Sequence, residues 1–245
     1  RFYVWTPDAA RAAMNADEWV VAAPYFGLDG PPNFEGRAWH LRVSAPLADV
    51  ARTLGIELPD AATRLAGARA GLFSARERRV RPGRDDKILT AWNALAIAGL
   101  ARAGRALDEP RWIDLAIAAA DAVKRTAWRD GRLLATRRGE RAELNAYLDD
   151  HAFLLDALVE LLQARFRSAD YAWAIALADA LLDRFEDRAR GGFYFTSHDH
   201  EKLFPRAKPG QDNATPSGNG IAARALAALG YLSGNARYID AAQRV

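Results

Sequence analysis

The sequence predicts an all-α chain that forms part of an α/α toroid, with short β hairpins in its connections. Three observations point there. Helical hairpins repeat along the chain, the helices alternate between apolar on all sides and apolar on one side, and half of the 245 residues are hydrophobic. A chain of this length and composition has ample apolar material for a core and is not disordered.

The first 84 residues are the least regular and are read as a lead-in segment. Thr6-Pro7 starts a helix, with threonine as N-cap and proline at the first helical position. Leu47 to Leu54 is a helix ended by Gly55, and Pro59 to about Val80 is a longer one. The repeat follows. Three segments run from polar residues through an apolar helix and a short turn into a second helix: Asp85 to about Thr126, Asp149 to about Phe185, and Ser217 onward. Their second helices open alike, at Arg111-Trp112, Asp170-Tyr171 and Arg237-Tyr238, at intervals of 59 and 67 residues. That period suits a helical hairpin plus a long connection.

The paired helices differ in kind. Leu148, Ala152, Leu155, Val159, Leu162 and Phe166 form one face of the middle unit's first helix, and Phe153, Leu154, Leu158 and Leu161 cover another. A helix apolar nearly all round is buried on both sides. The second helix has one stripe, Tyr171, Ile175, Ala178, Leu182 and Phe185, so it lies outside. Parallel inner helices are predicted at 87–106, 149–166 and 217–232, and outer ones at 110–127, 169–186 and 235–245. In the connections, Leu133–Thr136 and Ala142–Leu144 flank Arg138-Gly139-Glu140 as a short hairpin, and Gly191–Thr196 reads as a strand after a glycine turn. No linker divides the chain. It is expected to be a single partial toroid over 1–245, with 1–84 leading into hairpin units 85–148, 149–216 and 217–245.

Composition excludes several function classes. With no cysteine there is no disulfide scaffold, thiol nucleophile, thiolate metal site or redox pair within these residues. No apolar run is long enough to span a membrane, and Arg1-Phe2-Tyr3-Val4-Trp5 reads as neither a signal peptide nor a natural start. A cytoplasmic location is expected. The net charge is +3, and the 30 arginines against 4 lysines, with 53 alanines, read as coding bias rather than a basic surface. Glu77, Asp85 and Asp86 sit among the arginines at 76–84, so no nucleic-acid stripe is predicted.

Chemistry is expected at the inner-helix starts. Each is preceded by a polar cluster: Asp85, Asp86 and Lys87 with Trp92 and Asn93; Tyr147, Asp149, Asp150 and His151; Asp212, Ser217 and Asn219. Parallel inner helices bring their N-termini to one end of the ring, so Asp86, Trp92, Asp150, His151, Asp212 and Asn219 are expected in one concavity. Two carboxylates facing across a pocket serve glycoside chemistry, and Trp92, Tyr147 and Tyr194 offer faces to sugar rings. The simpler reading is that aspartate, serine and asparagine there are N-caps. His198-x-His200 lacks a third ligand at useful spacing, and no phosphate loop or nucleophile elbow occurs. No metal and no cofactor are expected.

Arg76-Glu77-x-Arg79-Val80-Arg81-Pro82 running into Asp85-Asp86-Lys87-Ile88-Leu89-Thr90-x-Trp92-Asn93 resembles the hallmark segment of the family of spermatogenesis-associated protein 20 and its bacterial relatives. The likeness continues in Phe2–Pro7, Asn33–Gly36, Tyr147–Leu154, Gly191–Thr196 and Lys208–Asn219. Ala91, Ala94, Asn213 and Gly220 depart from the usual residues. The resemblance implies a longer protein, with an N-terminal thioredoxin-like domain that these residues do not include. After it comes a six-hairpin toroid similar to glycosidases and N-acylglucosamine 2-epimerase. It places this chain in the middle of that toroid, with exposed apolar surface expected at both ends. It implies a carbohydrate-like small molecule as ligand. From the polar clusters at the inner-helix starts, the expected catalytic residues are Asp86 and Asp150 with His151 nearby, and the expected binding residues are Asp85, Trp92, Asn93, Tyr147, Asp149, Tyr194, Asp212, Ser217 and Asn219. Hydrolysis is favoured over epimerisation because only one histidine is well placed. The alternative is a non-catalytic toroid that binds a ligand or partner and supports the thioredoxin-like domain.

Overall fold

The structure, a computed structural model, describes residues 1–201 and 205–245, which form two compact units, Arg1–Asp85 and Asp86–Val245. In the first, β1 (Val4–Trp5) pairs antiparallel with β2 (Trp39–His40). Thr6 caps α1 (Pro7–Arg11) by accepting from the Ala9 N–H, and Gly55 ends α3 (Leu47–Leu54) in the left-handed region. The long helix α4 spans Leu58–Glu77, so it starts one residue earlier and ends three earlier than its sequence pattern suggests. Helix α2 (Ala16–Phe26) was not anticipated. Its signal was the capping box Asn15-x-x-Glu18, in which both reciprocal bonds form at 2.9 Å.

The second unit carries the hairpin repeat. Its helices are α5 (Thr90–Ala106), α6 (Pro110–Ala127), α7 (Leu148–Ala164), α8 (Ser168–Phe185), α9 (Gly218–Ser233) and α10 (Ala236–Gln243). Side chains linking α5, α7 and α9 climb all three helices together. Ala91 meets Asp150 and Arg102 meets Glu160; Gly218 abuts Asp149 and Arg224 meets Glu160. The three inner helices are therefore parallel. In α7, Leu148 and every residue from Asp150 to Leu162 are buried, Leu154 and Leu158 completely. Helix α8 exposes one side, as an outer helix should, and Ala178, Leu182 and Phe185 of its expected stripe are buried, with Tyr171 and Ile175 half-buried at the edge of the core. The buried face is wider than that stripe and takes in Trp173, Ala174, Leu177 and Leu181.

The first and third hairpins turn by the same device. A Cβ on Gly104 would lie 2.7 Å from Ile113 Cγ1, and one on Gly230 would lie 2.6 Å from Ile239 Cγ1. Glycine lets each inner helix end against the first turn of its outer partner.

Between α6 and α7 the chain forms β4 (Trp128–Arg129), β5 (Arg132–Arg138) and β6 (Arg141–Asn145). Strands β5 and β6 pair antiparallel with Arg138 opposite Arg141 and Thr136 opposite Glu143, turning at Gly139-Glu140 as expected. On its other edge, β5 takes up β3 (Ile88–Leu89), which leads into α5. This sheet fixes the hairpin beside the starts of α5 and α7. The predicted strand at Gly191–Thr196 does not form beyond one bridge between Glu186 and Phe193. Both backbone polar groups of Phe193 are taken by the Asn219 carboxamide, at 2.7 and 3.0 Å, which satisfies them as a neighbouring strand would.

Candidate functional site

A cavity of about 290 Å³ opens where α5 and α7 begin. Its walls are the first turn of α5, the β5–β6 hairpin, Tyr147, Asp149 and Asp150 at the start of α7, and Phe195. Most of the lining is apolar or aromatic, with a few polar groups converging on it, as in small-molecule sites. Trp92 stands at the edge with 65% of its surface exposed. Tyr147 stacks on Phe195 at 4.9 Å and an interplanar angle of 14°, which fixes both rings in the wall. Leu144, also in the wall, has φ +63°, a left-handed conformation that costs a bulky residue energy and is held here by the pairing on either side.

The two aspartates of α7 stand in different environments. Asp150 is 5% exposed and both its oxygens are occupied. Oδ2 accepts from the Tyr147 N–H at 2.8 Å, and Oδ1 from the Ala91 N–H at 2.9 Å. It thus ties the starts of α5 and α7 together. Burial pushes its pKa up to about 7, against the pull of those two amides. Asp149 is half-buried, and no hydrogen bond or ion pair among the described residues uses its carboxylate. Burial raises its pKa as well. Gly218 makes room for it, since a Cβ there would fall 2.2 Å from Asp149 Oδ1.

The structure brings together Trp92, Tyr147, Asp149 and Asp150 of the expected residues, with Lys87. The other expected residues of the second unit lie outside the lining. Asp86 is exposed and bonds Arg138 Nε at 2.9 Å on the hairpin. Asp85 closes the first unit. Asn93 bonds back to the Leu89 carbonyl at 2.8 Å. His151 is 2% exposed, packed on Phe185, with Nδ1 3.0 Å from the Tyr147 carbonyl oxygen. Its Nε2 is buried without a partner among the described residues, and burial lowers its pKa to about 4. It is a neutral core histidine, one residue from the cavity in sequence but outside its lining. At the start of α9, Asp212 accepts from the Ser217 N–H at 2.8 Å, Ser217 caps the helix, and Asn219 clamps Phe193 and the Pro209 carbonyl. Tyr194 lies under Arg206, 4.0 Å from its guanidinium carbon.

Sequence reasoning missed Thr136 and Leu144 as cavity residues, because hairpin residues carry no helical signal. It also missed a cluster further along the inner helices. Asp156 and Glu160 of α7 are buried among Arg102 and Arg105 of α5 and Arg224 of α9, with Arg102 2.9 Å from Glu160. The signal was Asp149, Asp156, Glu160 and Gln163 recurring on one helical stripe. Among the described residues, no three histidines, aspartates or glutamates gather to hold a metal ion. No helix among the described residues is long and apolar enough to cross a membrane.

No family model matches the chain. Human spermatogenesis-associated protein 20 is 32% identical over 211 residues, covering 82% of this chain and 27% of that protein. The chain belongs to the spermatogenesis-associated protein 20 family. It spans about a quarter of the length of that relative. Among solved structures, cellobiose 2-epimerase from Spirochaeta thermophila superposes with a TM-score of 0.54 at 17% identity, over 66% of this chain and 43% of the epimerase. An α-1,6-mannanase of Salegentibacter, solved with α-1,6-mannotriose as an inactive variant with two adjacent aspartates replaced, gives 0.53 at 13% identity over 98% and 69%. At such identities the likeness is one of fold. The fold is the glycosidase-like α/α toroid, and the solved neighbours act on carbohydrates.

Proposed function

We propose that this part of the protein binds a carbohydrate in the cavity between α5 and α7 and performs acid/base chemistry on it through Asp149. The observation that carries the proposal is a half-buried, unpartnered carboxyl in the wall of a cavity edged by an exposed tryptophan. An indole face accepts the C–H face of a sugar ring, while a carboxyl with a raised pKa holds a proton to give to a leaving oxygen. Asp150 works behind it. By fixing the first turns of both helices it positions Asp149 and Trp92. Asp86 and His151, expected to take part in catalysis, lie outside the cavity lining and have no role in this reading.

One observation favours binding without turnover. Both oxygens of Asp150 are consumed by backbone amides, which leaves one open carboxyl where hydrolysis uses two. The two readings separate in one experiment. The full-length protein is incubated with cellobiose, mannobiose and α-1,6-mannotriose, with products followed by NMR and binding by Trp92 fluorescence. Turnover that disappears in Asp149→Asn establishes the enzyme. Binding without product establishes the binding module, and neither result from any sugar would sink the carbohydrate reading.

A further inference from the structure

A second cavity, of about 400 Å³, adjoins the first and shares Lys87 and Thr136 with it. Its remaining walls are Arg138, Arg141 and Glu143 on the β5–β6 hairpin, so three cationic side chains and one carboxylate line it, with the Asp86 carboxylate beside Arg138. Both arginines are paired through one edge only. Arg138 reaches Asp86 through Nε, and Arg141 reaches Glu143 through Nε. Among the described residues, no hydrogen bond uses the terminal nitrogens of either guanidinium. Those nitrogens form the edge that grips an oxyanion with two parallel N–H bonds. At the junction of the two cavities, the Thr136 hydroxyl is buried and has no hydrogen-bond partner among the described residues. A buried hydroxyl without a partner is costly, and it is satisfied if a ligand atom reaches it.

We infer that the ligand is an anionic saccharide: its ring lies against Trp92 beside Asp149, and its phosphate or carboxylate group sits among Lys87, Arg138 and Arg141. The inference rests on the carbohydrate reading above and adds the substrate class. The geometry is that of a two-part site. The first cavity is aromatic and suits a ring; the second is basic and suits a charged substituent; the shared wall of Lys87 and Thr136 sits where the two are joined. The Asp86 and Glu143 carboxylates, held on the Nε edges, keep both guanidinium groups in place.

The test compares matched sugars on the full-length protein. Mannose and mannose 6-phosphate form one pair, glucose and glucuronate the other, with affinities from Trp92 fluorescence and calorimetry. The anionic member of at least one pair is expected to bind about tenfold tighter, with the preference shrinking as salt rises from about 0.05 to 0.5 M. Which pair shows it distinguishes phosphate from carboxylate. In Arg141→Glu the ratio of anionic to neutral affinity falls to about one. Arg138→Gln, on the same exposed hairpin, provides a second variant if the first fails to fold. Equal affinity within both pairs overturns this inference and leaves the carbohydrate reading standing. Binding of none of the four sugars overturns this inference, and the carbohydrate reading falls with it if cellobiose, mannobiose and α-1,6-mannotriose also fail to bind.

Discussion

Helix α7 carries acidic residues on its inward stripe in two places, and the protein treats them differently. In the middle of the helix, Asp156 and Glu160 are buried against Arg102, Arg105 and Arg224, each carboxylate facing more than one guanidinium. In the first turn, no arginine among the described residues reaches Asp149 or Asp150. Asp150 is held by two amides, and Asp149 by nothing among the described residues. A carboxylate surrounded by arginines has its charge compensated and serves packing. One without a counterion, beside a cavity, keeps its proton chemistry available. The same residue type on the same stripe is structural at one level and open at the other, and only the neighbours decide which.

The comparison can be broken first at the ion cluster. Glu160→Ala removes the anion that Arg102, Arg105 and Arg224 share, and leaves Asp156 to Arg102 and Arg224 alone. Because their heads are half exposed, the loss falls near the low end for buried pairs, about 3 kcal/mol in urea unfolding. Sugar binding at the cavity is unchanged. Asp150→Asn comes next. An asparagine oxygen satisfies one of the two amides at Tyr147 and Ala91 and turns an NH₂ toward the other, which costs roughly 1–3 kcal/mol. A variant that melts with the wild type would show that the tie between α5 and α7 is dispensable.

Stability against pH sharpens the same contrast. Asp150 binds its proton more tightly folded than unfolded, so its contribution is full below the unfolded pKa near 4 and is lost as pH rises toward about 7. His151 does the reverse. Its folded pKa near 4 lies below the unfolded value of 6.5, so its contribution is full above 6.5 and is lost as pH falls through 4. In the wild type the two nearly cancel between pH 4 and 6.5. Asp150→Asn therefore leaves a stability that rises with pH across that window, and His151→Phe one that falls, each by up to about 1.4 kcal/mol per pH unit. Parallel flat profiles in both variants would contradict the burial of these groups.

Much of this fold could be read from apolar spacing. Leu154 and Leu158 are buried because α7 is apolar all round, and the turns at Gly55 and Gly139 are where glycine was read to stop a helix or reverse a strand. The full width of the buried face of α8 escaped, since its run of alternating alanine and leucine supports two adjacent faces and both are buried. Gly191–Thr196 escaped because an asparagine side chain 26 residues away replaces a strand partner. At the site, doubled aspartates before an apolar helix marked the right place. Their division of labour did not show, because it depends on the Ala91 amide of another helix and on the space left by Gly218. His151 looked available for the opposite reason: its position near a helix start does not reveal that Phe185 covers it.

The account turns on Asp149 being the open carboxyl. The direct measurement titrates wild-type and Asp149→Asn proteins with whichever of cellobiose, mannobiose and α-1,6-mannotriose the wild type binds most tightly, and records both thermal melts. The account predicts melts that agree within about 0.5 kcal/mol of stability, with turnover abolished or, in a binding module, affinity reduced at least about tenfold. An Asp149→Asn protein that binds and turns over sugar like the wild type, or one that unfolds as Asp150→Asn does, would contradict it.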